Sequence, residues 1–166
     1  MRCNSSSEWI KQMMNMTDNS SGMVLPAVQL TLKTEIEEFE QLRIWLQKIA
    51  LKLKLPEKIT SQLMIAADEV FSNIAAYAYP GTSGMVTISA EQNDSLLQLT
   101  FADTGRPFDP LRTAEPDVKL PLEQRKIGGL GIFVVKKLMD KVEYRRENDR
   151  NILILTKHIP EAQSCS

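Results

Sequence analysis

Between Arg106 and Ile127 the chain carries four prolines, Pro107, Pro110, Pro116 and Pro121, and no hydrophobic period. Proline lacks a backbone donor and holds φ fixed, so neither a helix nor a central strand runs through that stretch. A connection of this length is uncommon inside a compact domain unless it has a function. The rest of the fold must be assembled from two patterned parts, one on either side of it.

The first part opens near Val24. Val28, Leu30 and Leu32 alternate with Gln29 and Thr31, which predicts a strand with one buried face. Thr34 and Glu37 stand at capping-box spacing. Ile36, Phe39, Leu42, Leu46, Ile49 and Leu53 follow at helical spacing, so residues 35–53 read as an amphipathic helix. Pro56 and Glu57 open a second helix with the stripe Ile59, Leu63, Ala66, Val70 and Ile74. It runs to about Tyr79, where Pro80-Gly81 stops it. Val86, Ile88 and Ala90, then Leu97, Leu99 and Phe101, make two strands turned at Asn93-Asp94. After the loop, Gly128-Gly129-Leu130-Gly131 leads into a helix bearing Ile132, Val135, Leu138 and Met139. Val142 and Tyr144, then Ile152, Ile154 and Thr156, read as a closing hairpin turned at Asn148-Asp149. Strands joined by short turns and paired helices predict an α+β fold, a two-layer sandwich over residues 24–160. Residues 1–23 and 161–166 read as tails. Trp9, Ile10, Met13 and Met14 leave open a docking segment within the first of them.

Composition removes several classes of function. An apolar share of 43% in 166 residues suffices for one core but not for two. Twenty basic and 21 acidic residues give a net charge of −1, without the electrostatic footprint of a nucleic-acid or membrane-surface protein. Cys3 and Cys165 lie at opposite ends, which argues against a structural disulfide and fits a reducing compartment. His158 is the only histidine, so most zinc and triad chemistry is excluded. No apolar run reaches the roughly 20 residues needed to span a bilayer, and the polar N-terminus lacks a secretion signal. A cytoplasmic protein is the expectation.

Four features carry possible chemistry. Glu69 and Asn73 are four residues apart, on one face of the second helix at the rim of its apolar stripe. An amide oxygen suits Mg²⁺, which takes few protein ligands, and a carboxylate can accept a proton from a hydroxyl. Asp103-Thr104-Gly105 ends a strand; the carboxylate can accept from an exocyclic amine, and the glycine admits a flat ligand to the backbone. Gly128-Gly129-Leu130-Gly131 runs into a helix, whose free amides and dipole favour an anion. It is neither a dinucleotide-binding fingerprint nor a P-loop, because no strand precedes it and no Gly-Lys-Ser/Thr follows. The loop 106–127 holds Arg106, Arg112, Lys119, Arg125 and Lys126, the last two placed to reach outer phosphates. Taken singly, these features also fit a solvated helix edge, an Asp-Gly turn, a bare glycine cluster and a solvated loop.

Their order is more specific than any one of them. It resembles the N, G1 and G2 boxes of the Bergerat, or histidine kinase-like, ATPase fold, over about residues 24–160. That resemblance implies a mixed, mostly antiparallel sheet with helices on one face. It implies Glu69 as the base and Asn73 as both an ATP contact and the Mg²⁺ ligand. Asp103 would bind the adenine amine beside Gly105. Gly128, Gly129 and Gly131 would hold the phosphates of ATP, with Arg125 and Lys126 in a lid above them. Thr156 would match a threonine supporting the adenine site.

Within that superfamily the chain is most similar to the anti-sigma factor serine kinases. The likeness rests on Asp68-Glu69-Val70-Phe71-Ser72-Asn73, on Gly129-Leu130-Gly131-Ile132 and on Leu155-Thr156-Lys157-His158. The resemblance implies ATP and Mg²⁺ as cofactors and a serine on a STAS-type antagonist as the phosphorylation site. A sigma factor would be a second partner, and a homodimer is the expected assembly. Two departures are Tyr77, where relatives often carry histidine, and Ile127, where some carry a polar residue. A sensor histidine kinase is disfavoured because the helix 35–53 contains no histidine. A non-catalytic nucleotide-binding module, or a partner switch acting on something other than a sigma factor, stays open.

Overall fold

On four of the five strands buried residues alternate with more exposed ones, and all of the buried ones but Thr156 share one face of the sheet. The computed structural model describes residues 27–112 and 130–160. The strands are β1 (Val28–Lys33), β2 (Met85–Asn93), β3 (Leu96–Asp103), β4 (Lys141–Glu147) and β5 (Arg150–His158). They lie in the order β1-β2-β3-β5-β4. Three helices, α1 (Phe39–Lys52), α2 (Glu57–Tyr77) and α3 (Leu130–Leu138), share a single core with the sheet. This is the two-layer α+β sandwich expected.

Two details differ from expectation. The sheet is not mixed: each of its four pairings is antiparallel. β3 and β4 run the same way across the α3 connection, but β5 lies between them and makes both contacts antiparallel. The buried set on β5 is also different. Asn151, Leu153 and Leu155 point inward, opposite Asp103, Phe101 and Leu99, while Ile152 and Ile154 lie half-buried on the other face. The turn decides this. Asn148 and Asp149 both adopt positive φ (48° and 58°), the backbone of a two-residue hairpin turn that fixes register.

Trp45, Phe71 and Phe101 are fully buried at the centre, where each stabilises by about 1.5–3 kcal/mol or somewhat more for the largest ring. The α2 stripe is as expected, with Leu63, Ala66 and Val70 buried, and Ile59 and Ile74 packed against the core. Arg43 on α1 ties to Asp68 on α2 through Nη2 at 2.6 Å. The hydrogen bond to Asp68, and then its charge, raise the guanidinium above its usual value.

The capping box does not form. The chain enters α1 through a 3₁₀ turn, Ile36–Glu38, whose N-cap is Glu35 without a side-chain cap. Thr34 instead faces Gly84: its hydroxyl accepts from the Gly84 amide at 2.9 Å and donates to the Gly84 carbonyl at 3.4 Å. Ladder geometry beyond the ends of β1 and β2 outcompetes the local cap.

Candidate functional site

Asp103 is the last residue of β3, and the chain after α2 is built to hold that strand end. The Tyr79 hydroxyl donates to the Met85 carbonyl and accepts from the Thr104 amide, both at 3.0 Å. Arg106 N–H donates to the Ala78 carbonyl at 3.0 Å, and Arg106 Nε donates to the Tyr77 carbonyl at 2.7 Å. Gly105 lies so close to the end of α2 that a Cβ there would stand 2.5 Å from the Ala78 carbonyl oxygen. Its lack of a side chain therefore serves this backbone crossing.

Asp103 is 4% exposed. Its Oδ1 accepts from the Gly105 amide at 2.8 Å and from Asn151 Nδ2 at 2.9 Å. Oδ2 has no hydrogen-bond partner among the described residues. The carboxylate lines a narrow cleft of about 30 Å³, otherwise walled mainly by Val70, Ile74, Phe101, Phe108 and Tyr144. The lining has the character of a small-molecule pocket, apolar walls with few polar groups.

Asn73 lines the same cleft from α2. Its Nδ2 donates to the Glu69 carbonyl one turn earlier, at 2.7 Å. This back-bond orients the amide and leaves Oδ1 without a partner among the described residues. Gly131, in the first turn of α3, lies directly against the pair: a Cβ there would overlap Glu69 Oε2 and stand 3.6 Å from Asn73 Nδ2. Asn73 and Asp103 thus border one cavity, and Gly131 brings the start of α3 against the neighbouring Glu69–Asn73 pair. Such a helix start, with free N–H groups, favours phosphate.

One further sequence expectation is resolved differently. Thr156 does not join Asp103. It pairs with Gln98 and Lys141, five residues along β5 from Asn151, roughly 16 Å at strand rise and on the opposite side of the pleat. Asn151 occupies the place opposite Asp103. Arg106 spends its Nε on the Tyr77 carbonyl and anchors the loop, so it is not extended toward a ligand. Arg125, Lys126, Gly128 and Gly129, with the lid from residue 113 on, lie outside the described residues.

The described start of the lid is held at several points. Asp109 Oδ1 accepts from the Leu111 amide at 2.9 Å, and Lys136 Nζ on α3 reaches the Leu111 carbonyl at 3.4 Å. Phe108 packs on Tyr77 with ring centroids 5.7 Å apart and forms part of the cleft wall. Tyr77 therefore supports the start of the loop through Phe108.

Sequence reasoning missed Asn151, Tyr144 and Arg146. The Tyr144 hydroxyl and Arg146 Nη1 both donate to Asn151 Oδ1, at 2.8 and 2.9 Å. A signal was present: Asn151 is the only polar inward position between the hairpin turn and Leu155, and the Asn148-Asp149 turn sets it across from Arg146.

The arrangement has counterparts among known proteins. The model of the histidine kinase-like ATPase domain matches residues 32–157. Serine/threonine-protein kinase BtrW of Bordetella bronchiseptica is 30% identical over 115 residues, which is 69% of this chain and 81% of that protein. Serine-protein kinase RsbW of Listeria monocytogenes is 29% identical over 142 residues, 82% of this chain and 89% of its own length. Among solved structures, the RsbU and RsbW domains of Rv1364c from Mycobacterium tuberculosis superpose with a TM-score of 0.58 at 14% identity. That likeness concerns the fold; it covers 82% of this chain, which spans 33% of the longer molecule. The chain belongs to the histidine kinase-like ATPase domain family. Within it, this is a protein serine/threonine kinase, and it uses ATP.

Proposed function

We propose that the Asp103 cleft binds the adenine of Mg-ATP and that the chain transfers the γ-phosphoryl group to a serine of a STAS-type antagonist. The observation that carries this reading is the buried Asp103 carboxylate, with one oxygen saturated by protein donors and the other without a partner among the described residues, on an apolar cleft. Such an oxygen suits the 6-amino group of adenine, and the apolar walls suit its ring faces. From there the triphosphate would run past Asn73 toward the start of α3, where Glu69 lies against Gly131. By the family pattern Gly128, Gly129, Arg125 and Lys126 add phosphate contacts.

The donor set fits magnesium. No group of three or more acidic, histidine or cysteine side chains that could hold a metal exists among the described residues, so the ion would take its ligands from Asn73 Oδ1, phosphates and water. When bound, Mg²⁺ neutralises charge on the β- and γ-phosphate oxygens. Asn73 presents its oxygen because the back-bond to Glu69 holds its amide nitrogen away. Glu69 accepts the proton of the partner's serine as the serine oxygen bonds to the γ-phosphorus. The bond from that phosphorus to the bridging oxygen breaks, and ADP leaves. Phe108 and Pro110, held at the lid base, screen the base pocket from water.

By resemblance, phosphorylation releases the antagonist so that a sigma factor is held again, and the kinase works as a homodimer in the cytoplasm. No helix among the described residues is long and apolar enough to cross a membrane. The test is calorimetric titration of Mg-ATP into wild type, Asp103→Asn and Asn73→Ala. Asp103→Asn should weaken ATP and ADP alike, by roughly tenfold, because both carry adenine. Asn73→Ala should weaken ATP only when Mg²⁺ is present. Unchanged affinity in Asp103→Asn removes the adenine assignment.

A further inference from the structure

We infer that Asn151, locked in one orientation by Tyr144 and Arg146, is a positioning residue that aims the Asp103 carboxylate and so selects nucleotides by their 6-amino group. This rests on the reading of the Asp103 cleft as the adenine site. Asn151 is 6% exposed, and both ends of its amide are engaged. Its oxygen receives the Tyr144 hydroxyl at 2.8 Å and Arg146 Nη1 at 2.9 Å. Its nitrogen faces Asp103 Oδ1 at 2.9 Å, the Arg106 carbonyl at 3.0 Å and the Gly105 carbonyl at 3.4 Å.

These partners determine which end is which. A guanidinium only donates, so the amide oxygen must face Arg146; two carbonyls only accept, so the nitrogen must face them. The reversed amide would set oxygen against three acceptors and NH₂ against a cation. Toward Asp103 Oδ1, Asn151 can consequently only donate. With the Gly105 amide as second donor, Oδ1 is saturated and the carboxylate plane is fixed. Oδ2 is then the acceptor left to the cleft. A 6-amino group satisfies it, whereas a purine bare at that position leaves a buried charged acceptor unpaired. A 6-oxo purine would place acceptor against acceptor.

The experiment titrates ATP and purine riboside triphosphate, which lacks only the 6-amino group, into the full chain with Mg²⁺. Wild type, Asn151→Leu and Tyr144→Phe are compared. Wild type should prefer ATP by roughly tenfold or more, as expected for one charge-assisted hydrogen bond. Asn151→Leu should bring the ratio close to one by weakening ATP while leaving the analogue within about twofold. Tyr144→Phe, which keeps the amide and removes only one of its locks, should cut the ratio about threefold. It also carries the test if Asn151→Leu does not fold. Equal weakening of both nucleotides, or an unchanged ratio in either folded variant, would overturn the inference, since Asn151 would then merely brace the β3–β5 end. A wild type that does not distinguish the two nucleotides would instead sink the adenine assignment itself.

Discussion

A methyl group at position 131 and one at position 105 would meet very different neighbours. At Gly131 the added carbon overlaps Glu69 Oε2, the far end of a flexible side chain. At Gly105 it stands 2.5 Å from the Ala78 carbonyl oxygen and 2.6 Å from the Ala78 Cβ, atoms fixed by the end of α2. Gly131→Ala should therefore fold normally, helped by alanine's preference for helices of up to about 1 kcal/mol over glycine. Its phosphoryl transfer should fall by roughly tenfold or more, because Glu69 is displaced from where the base must act. Gly105→Ala should lose about 1–3 kcal/mol of stability through overpacking. Thermal denaturation beside a kinase assay separates the two; a Gly131→Ala enzyme of full activity would mean that Glu69 does not act from this position. Both glycines stood out in the sequence, but not their distinct reasons, since the neighbours in question come from elements far away along the chain. Asn151 was hidden for the same cause: its importance lies in a pairing with Asp103 across 48 residues.

At the scale of elements, hydrophobic period located α1, α2, α3 and all five strands of the sheet, and the errors fell at junctions and in the choice of face on β5. The approach to α1 is the clearest. Thr34 and Glu37 have capping-box spacing, yet Thr34 is buried to 7% exposure and bonds Gly84, while Glu37 stays exposed in the 3₁₀ turn. Local chemistry offered one partner and the sheet offered two hydrogen bonds from a single residue. If the observed arrangement governs stability, Thr34→Ala should cost about 1–2 kcal/mol and Glu37→Ala only a few tenths. A working capping box would make both changes costly and their effects coupled. Urea denaturation of the two single mutants and the double mutant decides between these cases. The β5 face shows the same limit: Ile152 and Ile154 are as hydrophobic as Leu153 and Leu155, so composition could not choose between the faces. The turn at Asn148-Asp149 chose.

On the scale of the molecule, the proline-bearing stretch divides the chain, but the core does not divide with it. Val135 and Met139 beyond the loop pack in the same cluster as Leu63 and Phe71 before it. The cleft lies across that seam, with Asn73 and Asp103 from the first part and Tyr144, Asn151 and Leu153 from the second. A ligand seated there holds both parts and binds only the folded chain. Mass action then ties affinity to stability: at a free concentration one hundred times the dissociation constant, Mg-ATP should add about 2.7 kcal/mol. For a domain of this size that raises the melting temperature by on the order of 10 °C. At the same nucleotide concentration Asp103→Asn, its affinity about tenfold weaker, should gain only about half of the added free energy. The unliganded melting temperatures of both proteins supply the baseline, so a general loss of stability in the variant does not imitate the effect. A full shift in Asp103→Asn would place the nucleotide away from this cleft, and the seam would then be only a packing boundary.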